Sequence, residues 1–435
     1  MLKRIWALGL ILAVLMSLSG CALRTVEEMY SLPKRSQEYD ELQSAIDIAM
    51  VGLDYAAPLS GTNRQTLQTA DLDGDGREEY LVFAKGKSDK PLQLLIFHSN
   101  DQGGYQIQEV IDFRGPSFEQ VDYVEIDDRP GCEIALGRQL SDQVVGTLSV
   151  LSFAGGDTRQ LLSTSYSKFV TCDLNGNGRE DLMVLRPGET DGDGGVAVLY
   201  SYRDGAMERS VEARLSSQPE DVKRISVSKL HGGFPAVYIS SMGRRDAVIT
   251  DVFALRDDRF VNITGENGQG ASVGSLRNYA VYADDLDGDG IFELPRLISM
   301  KPITSSAGSE RQYLLRWYSI DLKGNEVDKL CSFHNFASGW YLKLESDWAS
   351  SITVERLGDS YTFYMWNDYY DQATILFTIT EYTGSDREYE ATQEKRFVLH
   401  RAEGITYAGK LEAGASVYGF TEDYLVNSFR LISQD

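Results

Sequence analysis

Nearly the same nine-residue string occurs three times in this chain: DLDGDGREE from Asp71, DLNGNGRED from Asp173 and DLDGDGIFE from Asp285. Oxygen-bearing side chains stand at loop positions 1, 3 and 5, as Asp71, Asp73 and Asp75, then Asp173, Asn175 and Asn177, then Asp285, Asp287 and Asp289. An acid returns at position 9 (Glu79, Asp181, Glu293), and position 7 (Arg77, Arg179, Ile291) is counted with the set. Glycine at positions 4 and 6 lets the backbone turn sharply around an ion, and a hard cation that takes six to eight oxygens suits these donors. Calcium at these three loops is the expectation. The acid-rich loops at Asp71 and Asp285 should hold it more tightly than the loop at Asp173, where two carboxylates are replaced by neutral amides.

An EF-hand would place a bidentate Glu at position 12 and a helix on each side. Position 12 is instead Val82, Val184 and Arg296, and the residues after each acid, such as Tyr80 to Phe83 and Leu182 to Leu185, read as strands. The loops therefore join strand to strand. In this the sequence resembles the FG-GAP or VCBS repeat family, whose D-x-D-G-D-G-x-x-[DE] loop binds calcium between the first two strands of a β-propeller blade. A tight hairpin turn accounts for one Asp-Gly run, but not for three with the same acid at position 9.

The starts of the three loops lie roughly two blade lengths apart, so a degenerate copy is expected in each gap. EIDDRPGCEIALG from Glu125 keeps Asp127 and Glu133 but has Arg129 at position 5, and KLHGGFPAVYIS from Lys229 has no acid. A cation inside the coordination sphere opposes calcium, so these two loops are expected to hold their turns without metal. The period becomes about fifty residues, which suits a four-stranded blade. Strand-like runs at 92–97, 105–111, 146–153, 195–202, 207–213, 247–255 and 312–320 fill the units between loops. The chain thus reads as mainly β, with a propeller of about five four-stranded blades over 53–333 and a small α+β domain over 336–435. The DGDGG run from Asp191 falls at a hairpin position and reads as a turn.

The start of the chain carries a second signal. Met1-Leu2-Lys3-Arg4 is basic, Ile5 to Leu18 is apolar but short for a bilayer span, and Leu18-Ser19-Gly20-Cys21 follows. These residues resemble a bacterial lipoprotein signal peptide (1–20) with its lipobox. The resemblance implies that Cys21 carries the lipid, becomes the mature N-terminus and anchors the protein on the extracytoplasmic face of the cell membrane, where two or more acyl chains give stable attachment. The formal charge of −23 becomes two charges more negative when Lys3 and Arg4 leave. So acidic a chain argues against nucleic-acid partners and against charge-driven docking on anionic lipid. Cys132, Cys172 and Cys331 lie in or beside apolar strands and read as small buried hydrophobes, not as a disulfide framework.

Residues 21–52 read as a tether, broken at Pro33, followed by an amphipathic helix from Gln37 to Val51 with apolar Leu42, Ile46, Ile48, Ala49 and Met50. Acidic rather than basic, this helix is expected to pack on the propeller and not on a membrane. Past Ser338, strands are expected at 352–356, 361–366, 374–382, 396–401 and 405–411. A helix from Glu422 to Arg430 should follow, capped by Thr421 and ending in a basic residue that suits its dipole. This module resembles the PsbP and Mog1-like family, without the proline of that family's Pro-x-x-Trp corner; a sixth blade with a cap is the alternative. Its aromatics, Trp340, Tyr341, Trp348, Tyr361, Tyr364, Trp366, Tyr369 and Tyr370, read first as core and second as a ligand surface.

Signatures of catalysis are sparse. His98, His231, His334 and His400 are isolated in sequence, and no P-loop, H-E-x-x-H or C-x-x-C string is present. The chain reads as a lipid-anchored binding or scaffold protein at the cell surface, with a surface protein or glycan as its partner. The alternatives are a carbohydrate-active lyase or hydrolase and a glycan-binding lectin built on the propeller.

Overall fold

The computed structural model describes residues 37–100, 104–140, 145–154, 158–189, 194–243, 247–265, 272–303, 312–367 and 372–432. The signal peptide, Cys21, the tether, Asp191 and its neighbours, Tyr369 and Tyr370 lie outside them. The described residues form six antiparallel sheets of four or five strands that follow one another along the chain, mainly β and consistent with propeller blades. Sheets one to four occupy 54–113, 117–166, 168–214 and 222–262; sheet five takes 294–345 and sheet six 352–411.

Each sheet grades from buried to exposed. Runs such as Leu81 to Ala84, Ile134 to Leu136 and Leu182 to Leu185 are almost wholly buried, so they read as continuous apolar stretches rather than alternating ones. The last strands of sheets one and two, Tyr105–Phe113 and Arg159–Tyr166, carry polar and exposed positions. The run expected at 207–213 divides into Ala206–Arg209 and Ala213–Arg214.

By compactness the described residues fall into two units, one within 37–57, 65–70 and 78–114 and one within 58–64, 71–77 and 115–432. In the first, the helix Gln37–Ala49 sets Leu42 and Ile46 against Val82, Ala84, Leu95 and Phe97 of sheet one. Ile48, expected on that face, is 76% exposed. Two residues beyond Ile46, it points to the far side of a helix with 3.6 residues per turn.

In the second unit, consecutive sheets share cores. Ile126, Ala135 and Val150 of sheet two pack with Phe169, Val184 and Val198 of sheet three; Met183 and Leu199 pack with Val237 and Phe253 of sheet four; Tyr238 and Val252 meet Leu294 and Tyr318 of sheet five. The largest core joins sheets five and six through Phe333, Trp340, Phe363 and Phe377, closed by Phe420 and Phe429. Trp340 and Tyr361 are therefore core, whereas Trp348 lies against Phe420 and Tyr424.

The boundary read between 333 and 336 falls inside a hairpin. Glu326–Asn335 pairs with Trp340–Glu345, and the late strand Phe429–Leu431 returns to pair with Trp340 to Leu342. The change of composition marks the end of a strand, and long-range pairing carries the sheet across it. The five strands expected beyond 350 are present as sheet six, with Ile405–Leu411 inserted between Gln372–Thr383 and Phe397–Ala402. The helix at the end runs Glu422–Ser428, and the Thr421 hydroxyl accepts from the Tyr424 N–H as a cap should. Arg430 belongs to the strand that follows, so no basic residue stands in the last helical turn.

Candidate metal centre

Each of the five loops joins two successive, paired strands near the start of a sheet. Loop 71–79 joins Leu67–Ala70 to Glu79–Lys85 in sheet one, after the short strand Asp54–Tyr55, and loops 125–133, 173–181 and 230–235 join the first strand to the second in sheets two to four. In sheet five the first strand shrinks to an Asp284–Glu293 bridge around loop 285–293. The degenerate copies thus occupy the expected gaps.

The three acid-bearing loops share a hydrogen-bond plan. The carboxylate at position 1 accepts backbone N–H bonds from positions 4 and 6: Gly74 and Gly76 on Asp71 (2.8 and 3.0 Å), Gly176 and Gly178 on Asp173 (2.7 and 2.9 Å), Gly288 and Gly290 on Asp285 (2.7 and 2.9 Å); Asp173 and Asp285 also accept from position 5, Asn177 and Asp289, at 3.1 Å. Position 5 then accepts from the N–H of position 7, at 2.8 Å in all three loops. The glycines at positions 4 and 6 have φ between +71° and +85°, a region that disfavours any side chain. Gly74 is constrained twice, because a Cβ there would lie 2.3 Å from Pro130 of the adjacent loop.

An apolar residue at position 2 anchors each loop from below: Leu72, Ile126, Leu174 and Leu286 are all buried. The acid at position 9 is buried too, and turns back to the loop. Glu133 Oε2 accepts from Ile126 N at 2.8 Å, Asp181 Oδ2 from Leu174 N at 3.1 Å, and Glu293 Oε2 from Leu286 N at 3.0 Å. Burial raises the acids of Glu133 and Asp181, and pushes Glu293 up to about 7. Glu293 is fully buried, and its second oxygen, Oε1, has no hydrogen-bond partner among the described residues. A buried carboxylate oxygen left unpaired costs free energy that a cation would recover.

Among the described residues, two groups of carboxylates could bind a metal ion: Asp71 with Asp73 and Glu79, and Asp285 with Asp287 and Asp289, each with one oxygen per residue within 4.8 Å of the others. In the Asn-bearing loop, Asn175 spends its Nδ2 donor on Asp181 at 3.1 Å, so its amide already engages the acid at position 9. The donor set fits calcium, being all oxygen, exposed at the rim and closed by a buried acid.

Loop 125–133 carries its own cation. Arg129 donates through Nε and one terminal nitrogen to Asp127 Oδ2 at 3.0 and 2.8 Å, and also bonds Ser152 Oγ and the carbonyl of Ala154. Burial would raise the acid of Asp127, but the Arg129 hydrogen bonds and charge outweigh it and leave the acid below its ordinary value. Loop 230–235 has no acid and closes by the Leu230 N–H to the carbonyl of Phe234.

Sequence reasoning missed the lysines. Lys329, on the third strand of sheet five, pairs with Asp287 at 3.3 Å and with Asp289, and Lys343 donates to the carbonyl of Leu286. Their only signal is the register of distant strands. Neighbouring loops also bond one another: Cys132 N donates to the Asp71 carbonyl and Glu180 N to that of Glu125, while the side chain of Arg179 pairs with Asp128 at 3.3 Å rather than with its own loop. The sequence is expected to hold no G-x-S-x-G nucleophile elbow, but GASVG at 270–274 matches that pattern. Ser272 is fully buried and donates to Asp251 at 2.5 Å; among the described residues no histidine bonds it. Cys172 and Cys331 are buried as expected, whereas Cys132 is only partly buried.

No protein-family model matches the chain, and no curated protein sequence matches it. Among solved structures it is similar to the exotype rhamnogalacturonan lyase YesX, at 14% identity and a TM-score of 0.28, over 75% of this chain and 65% of that one. It is also similar to rhamnogalacturonan lyase YesW, at 13% identity and a TM-score of 0.29, over 75% of this chain and 67% of that one. A third, the Bacillus licheniformis rhamnogalacturonan lyase PL11, gives 12% and 0.24 over 72% of this chain and 47% of that one. The chain thus spans about two thirds or less of the length of these enzymes, and the reading of its loops rests on their own geometry.

Proposed function

We propose that the protein is a lipoprotein, anchored through Cys21 on the extracytoplasmic face of the cell membrane, whose FG-GAP-like propeller is fixed by calcium and serves as a binding or scaffold component. The observation that carries the calcium reading is Glu293. Its fully buried Oε1, unpaired among the described residues, stands at the end of a loop whose position-1 carboxylate is already oriented by three backbone N–H groups. The ligands would be Asp71, Asp73, Asp75 and Glu79; Asp173, Asn175, Asn177 and Asp181; and Asp285, Asp287, Asp289 and Glu293, with the position-7 residues Arg77, Arg179 and Ile291 contributing backbone oxygen. Calcium bound there would offset the mutual repulsion of the acids and tie the first strand of a sheet to its second.

A binding role is favoured over catalysis by how the acids are spent. The patterned carboxylates are committed to loop turns, and the other fully buried carboxylate, Asp251, is enclosed by Ser216, Asn262 and Ser272. The anchor is tested by growing cells with labelled palmitate. The protein should take up label and stay with membranes through a salt wash, and Cys21→Ser should do neither. Label on the Cys21→Ser protein would remove the anchor from the reading.

A further inference from the structure

At the end of sheet five remote from loop 285–293 lies a cavity of about 220 Å³, walled by the strands of that sheet and by the first hairpin of sheet six. Its aromatic wall is prebuilt. Tyr279 and Phe336 lie nearly parallel, ring centroids 5.1 Å apart at 12°, and His334 stacks on Tyr341 at 4.8 Å and 9° behind them. Phe336 nevertheless keeps 43% of its surface exposed. An exposed aromatic held by stacking presents a flat apolar face whose ordering entropy is already spent, which is the condition for binding a small partner cheaply.

The polar lining is as informative. Gln312 and Asn335 supply planar amides, and among the described residues Arg356 is the only charged one that lines the cavity. Its guanidinium rests over the Tyr361 ring at 5.4 Å and donates through Nε to the Gly358 carbonyl at 3.1 Å. That bond fixes the plane of the group and leaves both terminal nitrogens outside any bond within the described residues. Behind the wall, Glu381 accepts from Asn335 Nδ2 at 2.9 Å and Trp340 Nε1 at 2.7 Å and is not among the residues that line the space. In a chain of net charge −23, a pocket whose single charge is a preoriented guanidinium selects for an anion.

We propose that this pocket binds one acidic sugar ring, a pyranose bearing a carboxylate. Its C–H face would lie on the Tyr279–Phe336 wall, its hydroxyls would meet Gln312 and Asn335, and its carboxylate would take the fork of Arg356. The volume, below the ~300–1,000 Å³ of sites for drug-sized ligands, admits a single ring and not a chain. The proposal names a ligand for the binding role above, yet stands on the pocket alone, so its failure leaves the anchor and calcium readings to their own tests.

Saturation-transfer NMR on the full-length protein in detergent, with galacturonate, galactose and benzoate as probes, decides it. Galacturonate should bind at least about tenfold more tightly than galactose, the worth of one charge-assisted fork, and more tightly than benzoate. Arg356→Met should bring galacturonate down to the level of galactose, and Phe336→Ala, at an exposed site, should weaken both sugars. Equal binding of the two sugars, preference for benzoate, no binding of any probe, or a galacturonate preference that survives Arg356→Met would each overturn it.

Discussion

Loops 125–133 and 285–293 do the same backbone work, turning a first strand into a second over a buried apolar residue and under a buried acid, but they neutralise their carboxylates differently. In the first, Arg129 lies on Asp127 and extends to Ser152 and the Ala154 carbonyl, so the charge is balanced within the chain. In the second, three aspartates converge, Lys329 reaches two of them from another strand, and Glu293 Oε1 is left unpaired. One loop is complete without an ion. The other is arranged around a charge that the chain supplies only in part. On the proposed calcium reading, the contrast teaches that a repeat can keep its turn while exchanging an external cation for an internal one, provided a side chain of the right length stands at position 5.

The widest break between the two is chelation. Calcium that binds only the folded state contributes about 2.7 kcal/mol per site at a hundredfold excess over its dissociation constant. Stripping three sites should therefore lower the unfolding midpoint of the full-length chain on the order of 10 °C. The deficit should also depend on pH. Glu293, raised by burial to about 7 against an ordinary 4.5, contributes stability that is fully present below pH 4.5 and lost as pH rises through 7, unless an ion takes up its charge. Chelated protein should accordingly melt lower at pH 8 than at pH 5, and calcium-loaded protein should not follow that trend. Indifference to chelator at pH 8 would return the loops to ordinary turns.

Arg129 offers a smaller and opposite test. Arg129→Ala leaves Asp127, whose side chain is fully buried, without its counter-ion. Breaking a buried pair costs about 3–5 kcal/mol, discounted here to about 2 because the arginine itself is partly exposed. The loss, read by denaturant unfolding, should be the same with and without calcium. A loss that calcium repairs would mean that loop 125–133 is a metal site after all.

Much of this was legible from residue types alone. The D-x-D-G-D-G spacing located three junctions, the period located the two degenerate ones, and Arg129 at position 5 announced an internal cation. Strand runs beyond 350 were equally plain, because apolar alternation is a local property. What escaped was set by long-range pairing. Nothing near 333 tells that Phe429–Leu431 will come back to extend sheet five, and nothing in the DGDG string tells that Lys329, 40 residues past Asp289, will lie against it. Ile48 was misplaced for a simpler reason: an apolar residue in an amphipathic segment was counted without its angle around the helix.

Lys329 supplies the finest test. On residue types the loops at Asp71 and Asp285 should bind calcium alike, since both carry three aspartates and a glutamate. The structure breaks that equality, because the Lys329 ammonium already sits against Asp287 and Asp289 and holds the acid of Asp289 below its usual value. Calcium entering this loop must displace or tolerate that charge, so affinity there should fall below that of loop 71–79. Lys329→Met keeps the length and apolar stem of the side chain while removing the charge. A partly exposed ion pair is worth up to about 1 kcal/mol, so the substitution should raise affinity at this loop about two- to fivefold. Isothermal calorimetry can follow it in Asp73→Asn and Asp287→Asn backgrounds: the gain should persist in the first, where loop 285–293 is intact, and be lost in the second. A gain that survives Asp287→Asn would mean that the lysine acts on the overall charge of the protein and not on this loop.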